Sequence, residues 1–136
     1  TNSNGASRIA DLDLREAHVS TVPDLASAAA STTGLAHLFE EGGVAEQWQA
    51  LMKLVNVARG YGDCYGHYLV ATGRVDIMLD AVMSVWDNAP LLPIVTEAGG
   101  RFTDTKGNAI IDGGSGLSTN GLLHDAVLAV LTALKE

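Results

Sequence analysis

An α/β domain, a layered sheet flanked by helices, is the fold class this sequence predicts, and three observations carry it. Short runs rich in β-branched residues alternate with segments of helical spacing along most of the chain. Gly, Asn and Asp punctuate the changes from one period to the other. With 136 residues, 47% of them hydrophobic and 18% charged, the chain supports a single core. At that length folding buries roughly two thirds of the unfolded surface, so neither disulfides nor a structural metal are required.

The elements follow in order. Residues 17–22 alternate, with β-branched side chains at Val19, Thr21 and Val22, and predict a strand that stops at Pro23. Residues 24–30 predict a short helix after a Pro-Asp turn, and 31–43 are mixed, with Glu40-Glu41-Gly42-Gly43 as the clearest break. Val44, Trp48, Leu51, Met52 and Val55 then fall at i, i+4, i+7, i+8 and i+11, an apolar helical stripe that ends in 56–62. A helix over 64–72 follows, with Asp63 as N-cap and Gly73 just past its end, and then a strand over 75–79. Residues 86–98 predict a strong helix closed by Gly99-Gly100, with Pro90 in its first turn and a kink or tight packing at Pro93. Strands over 101–104 and 109–111, joined by Thr105-Lys106-Gly107, predict a hairpin, with a further strand over 116–119. Asn120 caps the last helix, whose Leu123, Val127, Val130, Leu131 and Leu134 repeat at helical spacing. No repeat or linker divides the chain, so residues 1–136 are expected to form one domain.

Charge and composition exclude several functions. The net charge of −8 and the scattered basic residues argue against a nucleic-acid surface. No apolar run approaches transmembrane length. Cys64 is the single cysteine, so no internal disulfide forms, and a reducing, cytoplasmic setting is expected. The opening Thr1-Asn2-Ser3-Asn4-Gly5 is turn-like, and the chain is expected to be a piece of a longer protein.

Walker-type loops, H-E-x-x-H, C-x-x-C and G-x-S-x-G are all missing. His18, His37, His67 and His124 share no ligand-like spacing and are expected to be surface or packing residues. Cys64 is expected to be a buried small hydrophobe, although a helix start would lower its pKa. Arg59, Asp63, Asp80 and Asp87 remain. Singly, each has a plain explanation as a cap, a turn residue or a solvated helix end. Together they are less ordinary, because Asp80 and Asp87 bracket a strand-to-helix crossing, where open α/β sheets bind ligands. Two carboxylates there suit a hard cation such as Mg²⁺, which shares its coordination sphere with substrate phosphate oxygens.

The run Trp86-Asp87-Asn88-Ala89, continuing to Glu97-Ala98-Gly99-Gly100, resembles the C-terminal signature of the inositol monophosphatase family, Mg²⁺-dependent, lithium-sensitive phosphomonoesterases. Ala71-Thr72-Gly73-Arg74-Val75-Asp76, Asp80, Arg101-Phe102-Thr103-Asp104 and Ser118-Thr119-Asn120-Gly121 follow in family order. Gly62-Asp63-Cys64-Tyr65-Gly66 after Arg59 is most similar to the histidinol-phosphate phosphatase branch. Pro90-Leu91 departs from the two small residues that many members carry.

The resemblance implies the C-terminal, substrate-recognition half of an α-β-α-β-α fold, and hydrolysis of a small phosphate monoester by metal-activated water. It implies Asp87 as a Mg²⁺ ligand and Asp80 as the acid that recognises the substrate's polar group. Gly62, Asp63 and Cys64 fall in the substrate-lining loop, where an acid suits the cationic amine or imidazole of histidinol phosphate better than neutral inositol. Arg59 is expected to order these acids. The family's remaining metal ligands come from a Glu-Glu pair and an Asp-Pro-x-Asp-Gly-Thr run in an N-terminal half, and neither is present here. Alone, the chain is expected to be almost inert, with that half as its partner and a homo-oligomer as a further expectation. An inositol monophosphatase, or a stand-alone binding module of the same fold, are the alternatives.

Overall fold

The computed structural model describes residues 16–36 and 44–133. The polar start, His37, the break at 40–43 and Leu134 lie outside them. Among the described residues five strands form one sheet: β1 (Ala29–Thr32), β2 (Val57–Gly60), β3 (Ile77–Asp80), β4 (Arg101–Thr103) and β5 (Gly116–Thr119). Their order is β2-β1-β3-β5-β4, with β2, β1 and β3 parallel, β5 antiparallel to β3 and β4 antiparallel to β5. Helix α1 (Ala45–Met52) connects β1 to β2, α2 (Asp63–Ala71) connects β2 to β3, α3 (Val85–Glu97) leads from β3 to β4, and α4 (His124–Ala133) follows β5. The crossovers are what parallel pairing demands, since a tight hairpin can join only antiparallel strands.

Period-two alternation in the strands decides which helices cover which face. Ile77 and Leu79 point with Ala30 and Leu117 into a core completed by Trp48 and Leu51 of α1 and by Leu123, Val127 and Leu131 around α4. Met78 points the other way, to Leu69 and Val70 of α2 and to Leu91 and Val95 of α3. The result is helix, sheet, helix, and the expected fold class is borne out. Each fully buried aliphatic side chain contributes about 1.5–3 kcal/mol.

Five expectations are corrected. Residues 17–22 form no ladder: Val19 donates its N–H to the Ala98 carbonyl, and the Asn120 amide donates to the Val22 carbonyl, so Ala17 and Val19 are buried without a strand partner. Residues 24–30 hold a single 3₁₀ turn, Leu25–Ser27, whose cap Asp24 accepts from the Ser27 N–H at 2.9 Å. Beyond it Ala29 begins β1, because packing between two strands outweighs alanine's helical preference, and β2 occupies residues expected to close a helix. The expected strand over 109–111 is a loop; the partner of β4 is β5, although the turn at 105–107 is present, with Gly107 at φ 91°. Pro90 lies past the first turn of α3; both prolines are exposed, where water can meet the carbonyls they leave unpaired.

Other signals held. Gly99 adopts φ 95° after α3, and Asn120 accepts the Leu123 N–H at 3.2 Å before α4. Asn120 also ties the start of the described chain to the sheet, because its amide donates to Ser20, which in turn donates to Asp76.

His124 is fully buried between two hydroxyls, Thr103 Oγ1 at 2.8 Å from Nε2 and Thr119 Oγ1 at 2.9 Å from Nδ1. Burial, reinforced by the Arg101 charge, lowers its pKa from 6.5 to about 4. Between those values the unfolded chain binds a proton that the folded chain refuses, so stability falls as pH drops from 6.5 towards 4. Thermal unfolding should show that decline, and His124→Gln should flatten it; an unchanged slope would contradict this role.

Candidate functional site

The three parallel strands end at one edge of the sheet, and a cleft of about 90 Å³ opens there, lined by Thr33, Asp63, Cys64, Asp80, Val82, Met83 and Asp87. Thr33 follows β1, Asp63 stands two residues beyond Tyr61, which continues β2, and Asp80 is the last residue of β3. Carboxyl ends of parallel strands are where open α/β sheets bind ligands, since side chains from successive crossovers converge there. Lysine and arginine are absent from this lining.

Asp87 is held by a capping box at the start of α3. Its Oδ2 accepts from Ser84 Oγ at 2.6 Å and from the Ser84 N–H at 3.4 Å, while Ser84 Oγ accepts the Asp87 N–H at 3.3 Å. The cap and the cleft position coexist: one carboxylate oxygen fixes the helix start and Oδ1 remains without a hydrogen bond among the described residues. The exposed indole of Trp86 stands beside it in sequence.

Asp80 is 3% exposed, and its Oδ2 lies 3.0 Å from Nε2 of the fully buried His67. Nδ1 of the same ring lies 2.6 Å from Ser118 Oγ. Strand alternation brings these groups together, because Ser118 points to the α2 side of the sheet while Thr119 points to α4.

Asp63 is the first residue of α2, and Gly62, not Asp63, is its N-cap. No side chain caps this helix. Asp63 has φ 57°, the one non-glycine residue with positive φ among those described. Left-handed backbone costs an L-residue about 1–2 kcal/mol, least for Asn and Asp. Gly62 is exposed, with open space where a Cβ would stand.

Cys64 is exposed rather than buried as expected. Its pKa is raised, not lowered: partial burial is the largest cause, followed by the negative charges of Asp87, Asp63 and Asp80. The carboxylates of the cleft outweigh the helix start.

Arg59 lies apart from this group. It is exposed on β2, donates to the Ala58 carbonyl at 2.9 Å, and borders a second groove with Leu35, Trp48, Met52, Ala58 and Gly60. Among the described residues it makes no hydrogen bond or ion pair with these acids, so the ordering expected of it has no contact behind it. His67, expected to be a surface or packing residue, Ser118, noted only for its place in the family order, and Thr33 were not expected in the site.

Among the described residues no group of three His, Cys, Asp or Glu side chains forms a metal cage. The donor set fits a metal ion only in part, with Asp87 offering one free carboxylate oxygen. No described helix is long and apolar enough to cross a membrane.

The family model of the inositol monophosphatases matches residues 2–136, and the chain belongs to that family. It is 42% identical over 134 residues to a histidinol-phosphatase of Mycobacterium tuberculosis, covering 96% of this chain and 51% of that protein. A Streptomyces coelicolor histidinol-phosphatase is 37% identical over 118 residues, 87% of this chain and 43% of the relative. The chain thus spans about half the length of these relatives. Among solved structures, the inositol monophosphatase of Anabaena superposes with a TM-score of 0.78 at 26% identity, covering 93% of this chain and 53% of that one. The Thermotoga maritima IMPase gives 0.76 at 28% identity, with 88% and 46% covered. The family is metal-dependent.

Cys64 supplies a test of the cleft's electrostatics. Its alkylation by iodoacetamide at pH 8 should be slower than that of glutathione, and Asp87→Asn should speed it by removing a charge that disfavours the thiolate. An unchanged rate in Asp87→Asn would contradict the arrangement.

Proposed function

We propose that this chain is the C-terminal, substrate-recognition half of a phosphatase that hydrolyses histidinol phosphate. The observation that carries the reading is the cleft itself, where Asp63, Asp80 and Asp87 gather without a cation in the lining. A neutral polyol can hydrogen-bond to carboxylates but leaves their charge unbalanced, whereas the cationic end of histidinol phosphate offsets that of Asp63 and Asp80. The histidinol-phosphatases among the relatives support the same branch.

In this reading Asp80 and Asp63 bind the cationic end of the substrate, with Val82 and Met83 as an apolar wall. Cys64 borders the ligand without acting as a nucleophile, because its raised pKa keeps it as the thiol. Asp87 would hold Mg²⁺, its Oδ1 being left free by Ser84. When bound, the metal neutralises phosphate charge and activates water. Its other ligands and the groups that orient the attacking water belong to the N-terminal half. The exposed Tyr61, Tyr65 and Trp86 near the cleft support a covering partner. A lone exposed thiol fits a cytoplasmic setting.

Phosphate release with Mg²⁺, measured for the chain alone and for the chain joined to the N-terminal half of the M. tuberculosis relative, tests this. The joined protein should turn over histidinol phosphate at least about tenfold faster than inositol 1-phosphate, and Asp87→Asn should abolish turnover. Turnover by the chain alone, equal rates on the two substrates, or an active Asp87→Asn with unchanged Mg²⁺ dependence would each overturn part of the reading.

A further inference from the structure

His67 is the buried ionisable group that the proposed chemistry leaves unused. It projects from α2 into the core, fully buried, 6.0 Å from the ring of Phe102. An imidazole placed there costs free energy unless both nitrogens find partners. Both do: Nδ1 meets Ser118 Oγ at 2.6 Å and Nε2 meets Asp80 Oδ2 at 3.0 Å.

Donor and acceptor accounting fixes the direction of the bond to Asp80. The Asp80 carboxylate only accepts, so Nε2 carries the proton and donates to Oδ2. The Ser118 hydroxyl, which can both donate and accept, meets Nδ1, so neither ring nitrogen is left without a partner. Ser118 is itself fully buried on β5, one strand away from α2, and cannot follow solvent. The relay therefore anchors one oxygen of Asp80 to the core of the sheet and leaves Oδ1 for the cleft, which Asp80 lines. A free carboxylate at a strand end would turn between rotamers and lose its aim; this one is held.

We propose that His67, backed by Ser118, is a positioning residue: it fixes the Asp80 carboxylate so that Oδ1 meets the cationic group of the substrate. The inference rests on the reading of this cleft as the site for histidinol phosphate. His67 touches no substrate and acts only through Asp80. Partners of this kind typically change affinity by about 10–100-fold when removed.

The test uses the full 136-residue chain, ¹⁵N-labelled and titrated with L-histidinol, with folding of every variant checked by circular dichroism. The wild type should show shifts at Asp63, Asp80 and Asp87. His67→Leu and Asp80→Asn should each weaken binding by about tenfold or more. His67→Gln, whose side-chain amide can still donate to Oδ2, should recover most of the loss, which a purely packing role would not predict. If His67→Leu binds like wild type while Asp80→Asn does not, the positioning role is overturned and Asp80 stands. If wild type shows no shifts in the cleft, or Asp80→Asn binds normally, the substrate reading itself falls and takes the inference with it. Should His67→Leu fail to fold, the imidazole ¹⁵N shifts of the wild type decide: a protonated Nε2 is required, and a ring protonated only at Nδ1 overturns the assignment.

Discussion

The register of β3 between β1 and β5 is the constraint on which the rest of the molecule depends. Ile77 to Leu79 are buried on both sides of the sheet, so a slip of one residue would send Met78 into the α1–α4 core and Ile77 and Leu79 out of it. The same slip would turn Asp80 away from α2. Pairing of Asp80 with Gly116 and of Met78 with Ser118 sets the carboxylate and the hydroxyl on the face where His67 waits. Core packing and site geometry are thus one constraint, and a buried polar relay is tolerated because each of its members is satisfied.

The elements legible in the sequence were those whose signal is local. The 3.6-residue period of Val44, Trp48 and Leu51, the Gly99-Gly100 closure and the Asn120 cap report backbone and one-sided burial directly. The strands were harder. Ala29–Thr32 carries an alanine-rich sequence whose intrinsic preference is helical, and its strand state comes from neighbours 28 and 47 residues further along the chain. Residues 109–111 have a strand-like composition but form a loop: β4 takes its partner from β5, further along the chain, and among the described strands no other pairs with it.

The site was legible in its acids and not in their support. Asp80 and Asp87 could be placed by the strand-to-helix crossing and by the family signature, and Asp63 and Cys64 by the loop motif. Arg59 looked equally suitable in sequence, yet β2 carries it to another groove. His67 was hidden because a single histidine in a helix gives no pattern, and its meaning depends on Ser118, 51 residues away. Cys64 misled in the opposite direction: its intrinsic apolar character says nothing about three carboxylates converging from other segments.

Charge is the common thread between fold and chemistry. The strands bring acids to one edge, the capping box spends only one oxygen of Asp87, and the His67 relay spends only one of Asp80. What remains is a small cleft with unspent carboxylate oxygens, suited to divalent and organic cations together. Paramagnetic broadening by Mn²⁺, a stand-in for Mg²⁺, tests that claim most directly in the ¹⁵N-labelled chain. Broadening centred on Asp63, Asp80 and Asp87, and reduced in Asp87→Asn, is the result the account predicts. Broadening that centres elsewhere, or that is indifferent to Asp87→Asn, would contradict it.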